Sequence, residues 1–60
     1  MKREEIRRLR LRLGLTQVQL AEKLHCSFQT VNNWENGRHE PRGVFLFSLE
    51  DLRRKAAKMK

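Results

Sequence analysis

The 60-residue chain has no tyrosine, one tryptophan, one proline and one cysteine, and its three glycines stand apart from one another. A single cysteine excludes an intrachain disulfide framework and fits a reducing compartment. Scattered glycines exclude a glycine-rich, phosphate-cradling loop. No apolar run approaches the roughly 18 residues of a membrane span, and no signal-peptide core is present. Acidic residues are also scarce: 7 against 14 Lys and Arg, a net charge of +7. So large a positive field on so small a surface favours a polyanionic partner. The chain is nevertheless 38% hydrophobic, enough to fold, so the charge does not imply disorder. A domain this short buries only about 60% of its unfolded surface, room for one small core and no separate small-molecule substrate domain. The expectation is a single domain over residues 1–60 that binds nucleic acid inside the cell.

Residues 2–13 carry two periods at once. Leu9, Leu11 and Leu13 alternate with arginines as in a strand, while Ile6, Leu9 and Leu13 form a helical stripe. Leu and Arg are good helix formers, Glu4 and Glu5 stand near the start, and Gly14 sits where a helix would stop. The reading is a helix with Leu11 off its buried face. Thr16 followed by Gln19 makes a capping box, with Leu15 and Leu20 placed as a hydrophobic staple. A second helix is expected from Gln17 to about Leu24. Ser27 offers the next N-cap, and Val31 and Trp34 the inward spacing of a third helix ending at Asn36-Gly37. Residues 38–43 with Pro41 are a loop. A last helix should run from Val44 to about Ala57 with Phe45, Leu49, Leu52 and Ala56 on one face, and the basic stretch 53–60 should fray.

Two short helices joined across His25-Cys26 form a helix-turn-helix pattern. Leu15-Thr16-Gln17, Leu20-Ala21-Glu22-Lys23-Leu24 and Trp34-Glu35-Asn36-Gly37-Arg38 closely resemble the Cro/repressor-type (Xre-type) helix-turn-helix family, over roughly residues 4–55. The resemblance implies a compact all-α domain of the phage-repressor type, with four helices expected here where the family's domains commonly have a fifth. It also implies a DNA-binding regulator at the nucleoid, in the cytoplasm of a bacterium or of a cell carrying the phage. Ala21 is small because the second and third helices cross there. His25 departs from the family's usual glycine, yet histidine visits positive φ more readily than most residues.

On the outward face of the third helix, Gln29, Asn32, Asn33 and Asn36 fall within an arc of about 100°. Asparagine is a poor helix former, so an amide stripe in place of Lys and Glu calls for a reason. Amides pair bidentately with adenine in the major groove of double-stranded DNA. Gln29, Asn32 and Asn33 are therefore expected to read bases. Phe28 either touches a thymine methyl or packs over the helix edge against Val31. By the resemblance, Gln17 and Ser27 contact phosphates. Arg10, Arg38 and Arg42 join them from the flanks and Asn36 from the end of the stripe, although each arginine alone is equally well a solvated charge.

Catalysis and metal binding find no support. Glu4-Glu5 and Glu50-Asp51 are neighbours on helices, about 100° apart, and cannot act on one bond. Cys26 and His39 are spaced as half of a zinc finger, but the other two ligands are missing. No enzyme activity, metal, cofactor or small-molecule substrate is expected. The basic residues lie on short capped helices rather than one long amphipathic face, so no membrane partner is expected either. Leu46 and Phe47 lie off the core face of the last helix; they either close the core or form a homodimer contact, and the dimer is the reading preferred. The leading function is a homodimeric transcriptional repressor. The alternative is an antitoxin or adaptor that holds a partner protein through the last helix as well as DNA.

Overall fold

In the computed structural model, which describes residues 1–58, four helices follow in chain order: α1 (Arg3–Arg12), α2 (Gln17–Leu24), α3 (Phe28–Glu35) and α4 (Val44–Lys58). No strand occurs among the described residues, and no helix there is long and apolar enough to cross a membrane. The double periodicity of the N-terminal segment resolves as a helix that buries Ile6 and Leu9 and leaves Leu11 exposed. α1 opens on half of a capping box: the Lys2 N–H donates to Glu5 Oε1 at 3.0 Å, and a lysine side chain has no lone pair to return. α2 has the full box, with Gln19 N–H donating to Thr16 Oγ1 at 3.1 Å and Thr16 N–H to Gln19 Oε1 at 2.9 Å. Ser27 Oγ caps α3 by accepting from the Thr30 N–H at 3.2 Å.

The first three helices stop in the same way, each on a residue of positive φ: Gly14 at 71°, His25 at 58° and Gly37 at 78°. Each end carries the same pair of backbone bonds. Leu15 donates to Arg10 and Gly14 to Leu11; Cys26 to Ala21 and His25 to Glu22; Arg38 to Asn33 and Gly37 to Trp34. These are Schellman motifs, which satisfy carbonyls that a helix end leaves open. At Gly37 there is a second constraint, because a Cβ there would lie 3.2 Å from both Cδ and Nη1 of Arg3.

The core gathers Ile6 and Leu9 of α1, Leu20, Ala21 and Leu24 of α2, Val31 and Trp34 of α3, and Leu49 and Ala56 of α4. Ala21 is buried in the α2–α3 pair, where its small size keeps the helices close. α3 packs on both α2 and α1, and α4 closes against α1. The Phe45 ring leans on Trp34, centroids 5.6 Å apart with planes at 59°, a tilted geometry that aromatic pairs favour. α4 continues through Lys58, one residue beyond the expected end, with Ala56 only 1% exposed. Burial of Ala56 and ion pairs from Arg53 to Glu5 and from Arg54 and Lys55 to Asp51 hold that turn in register. Residues 59 and 60 of the expected tail lie outside the described residues. Off the core face, Leu46 is half-buried, while Phe47 is 74% exposed beside an equally open Val44.

Candidate nucleic-acid interface

The turn between α2 and α3 is short because His25 takes the left-handed conformation and Cys26 drops at once onto the core. Burial pushes the Cys26 thiol up from its ordinary value, so it is a packing residue and a poor nucleophile. This arrangement carries α3 across α2 with its amide face outward. Gln29 and Asn33 are bonded to each other, Nε2 to Oδ1 at 3.1 Å, and Asn36 and Asn32 are bonded one face over, Nδ2 to Oδ1 at 2.9 Å. The stripe is thus two pairs of amides at i,i+4. In the outer pair, Gln29 Oε1 and Asn33 Nδ2 have no partner among the described residues, leaving one acceptor and one donor open.

Behind the inner pair lies a connected polar network. Arg10 grips Glu35 with two bonds, Nε to Oε2 at 2.7 Å and Nη2 to Oε1 at 3.0 Å, and its Nη1 donates to the Leu15 carbonyl at 3.0 Å. The side chains are 13% and 5% exposed. Gln17 Nε2 donates to Glu35 Oε1 at 3.2 Å, and Gln17 Oε1 accepts from Asn32 Nδ2 at 3.2 Å. No buried side-chain polar atom among the described residues lacks a partner. Arg10, expected from the sequence at a phosphate, is engaged within the protein. Its guanidinium is neutralised by a nearly buried carboxylate, and the Glu35 hydrogen bond raises its pKa above the ordinary value. Arg10 holds α1 to α3. Glu35 is the partner that sequence reasoning missed, since nothing local links residues 25 positions apart.

A model of the helix-turn-helix family HTH_3 matches residues 6–52, from the first buried residue of α1 into α4. The chain belongs to this helix-turn-helix family. No curated protein and no solved structure matches it. The family is one of DNA-binding transcriptional regulators rather than enzymes. In this helix-turn-helix protein, α2 and α3 are the two helices of the motif.

Around α3 the remaining residues of interest separate into kinds. Arg38 follows the Schellman turn of α3 and Arg42 follows Pro41; both are exposed and neither has an ion-pair partner among the described residues. They line an open cleft of about 850 Å³ with Arg3 and His39, beside Trp34. The Ser27 hydroxyl is occupied by its cap and by Thr30 Oγ1 at 2.9 Å, which leaves its backbone for any outside partner. Phe28 is 46% exposed and shares a shallow groove with Leu11 and Val18. Sequence reasoning did not gather that trio, because its members come from three helices. Asn32 is half-buried rather than fully outward, its amide engaged by Gln17 and Asn36. Among the described residues no three His, Cys, Asp or Glu side chains come together as metal ligands.

Proposed function

We propose that the protein is a sequence-specific transcriptional repressor that binds double-stranded DNA as a homodimer, with α3 in the major groove of each half-site. The observation that carries this reading is the Gln29–Asn33 pair. It leaves one acceptor and one donor free on the same pair of side chains, the group types that adenine N6 and N7 call for. Phe28, at the first turn of α3, meets a thymine methyl at the edge of the same surface. Gln17, Ser27, Asn36, Arg38 and Arg42 ring that surface with N–H groups and positive charge suited to phosphates. One such helix reads few base pairs, so selectivity calls for two copies on a two-fold site. Leu46 and Phe47, with Val44 beside them, supply the apolar surface for the second copy. Exposure of the same surface also supports the second reading, an antitoxin or adaptor whose α4 holds another protein.

Selection of binding sites from random duplex DNA tests the proposal. The expected outcome is a palindrome with half-site centres about 10 bp apart. Gln29→Ala and Asn33→Ala should each cost about 1–3 kcal/mol on the best site and relax preference at one base pair. Equal affinity for random duplexes would overturn the proposal, and a protein partner required for any site preference would favour the second reading.

A further inference from the structure

We propose that Asn32 is a positioning residue, which acts on DNA through Gln17 rather than by reading a base. The inference rests on the DNA-binding reading above and deepens it. Gln17 is the first residue of α2, at the helix end whose N–H groups face outward. Its carboxamide lies between two partners of opposite kind. Glu35 can only accept, and it takes a hydrogen from Gln17 Nε2 at 3.2 Å; Asn32 Nδ2 donates to Gln17 Oε1 at 3.2 Å. An amide rotated by 180° would set its oxygen against the carboxylate and its NH2 against another NH2, so the two partners enforce one orientation together. Asn32 is itself oriented, because its Oδ1 accepts from Asn36 Nδ2 at 2.9 Å. Glu35 is held in turn by the two bonds from Arg10.

This relay leaves the second hydrogen of Gln17 Nε2 without a partner among the described residues. A phosphate oxygen needs a donor, and the relay presents one. It also removes rotamer freedom from a long side chain before DNA arrives, a cost that would otherwise fall on binding. The start of α2 and the reading helix α3 therefore meet DNA as one preset unit.

The test is a double-mutant cycle on DNA affinity, with Gln17→Ala, Asn32→Ala and both changes together, measured on the selected site and on random duplex. Asn32→Ala is expected to weaken both DNAs about tenfold, equivalent to about 1.4 kcal/mol, with base preference unchanged at every position. In the Gln17→Ala background the same change should have no further effect, the non-additivity of residues that act through one another. Urea titration of each variant separates folding from binding, and a parallel loss of stability that accounts for the whole effect would overturn the proposal. So would relaxed preference at a single base pair that persists without Gln17, because Asn32 would then be a reader. If instead Gln29→Ala and Asn33→Ala leave preference untouched, the parent reading of α3 fails independently of this cycle.

Discussion

Arg10→Ala should destabilise the fold far more than loss of a surface charge. The side chain being removed is 13% exposed and bonds Glu35 twice, at 2.7 and 3.0 Å. Exposed ion pairs contribute about 0–1 kcal/mol. Breaking a buried one costs about 3–5 kcal/mol, because a desolvated charge is left without its partner. In the variant, Glu35 keeps only the Gln17 N–H. Water can enter where Arg10 reached the surface, which brings the expected loss to about 2–4 kcal/mol. A domain of this size holds about 3–9 kcal/mol in total. Each kcal/mol moves the midpoint by about 4–8 °C, so the melting temperature should fall by about 8–32 °C. Arg10 has a raised pKa in the folded state. Its contribution is therefore complete below the unfolded-state value and is lost only at strongly alkaline pH. The deficit of the variant should show across the neutral range by helical circular dichroism in urea and on heating. A companion double variant, Arg10→Met with Glu35→Leu, removes both charges and should recover most of the loss, as apolar replacements of buried pairs do. A deficit below about 1 kcal/mol for Arg10→Ala would refute the buried-pair argument, as would a double variant less stable than either single change.

Other expectations follow from the same geometry. With Arg10 paired to Glu35, the unpaired Arg38 and Arg42 give about four cationic contacts per dimer, so affinity should fall about 10²-fold between roughly 50 and 200 mM salt; a flat response would leave these arginines without a phosphate role. His25→Gly removes the left-handed strain of about 1–2 kcal/mol at φ 58°. Offset by the greater flexibility of unfolded glycine, it should stabilise by up to about 1 kcal/mol in urea titration, and a loss would mean the imidazole makes a contact of its own. Phe47→Glu should leave a folded, helical chain that sediments as a monomer and loses preference for the palindrome; a folded variant that still dimerises would move the interface elsewhere. Backbone bonding from Lys2 holds Glu5, and the Lys55 and Arg54 pairs hold Asp51, below the usual carboxylate range. Their contribution is present above the unfolded values and is lost as pH falls through the lowered ones. The melting temperature should be level near neutrality and decline below about pH 4; no decline would show these contacts to be energetically silent.

Much of this protein was legible in the sequence because it is decided locally. Thr16 with Gln19, Ser27, Gly14 and Gly37 start or stop helices through atoms a few residues away, so their spacing alone places α1 to α3. The stripes Ile6–Leu9, Leu20–Leu24, Val31–Trp34 and Leu49–Ala56 name the core for the same reason, since a helix turns by a constant angle. The amide stripe of α3 was visible on that principle too, and the structure pairs its members as Gln29 with Asn33 and Asn32 with Asn36.

What the sequence left open depends on groups brought together from distant positions. Arg10 reads as one of many surface cations until α1 lies across α3 and Glu35 meets it 25 residues on. Asn32 and Asn33 are neighbours of one chemical type and both half-buried, yet the first bonds Gln17 and Asn36 while the second pairs with Gln29. The helical period put Ala56 on the inner face of α4, and the fold decided that this face meets α1, with Arg53 pairing Glu5 across the contact. A helical period states which residues share a face; only the crossing of helices decides what that face meets, and so which charges are neutralised and which stay free for DNA.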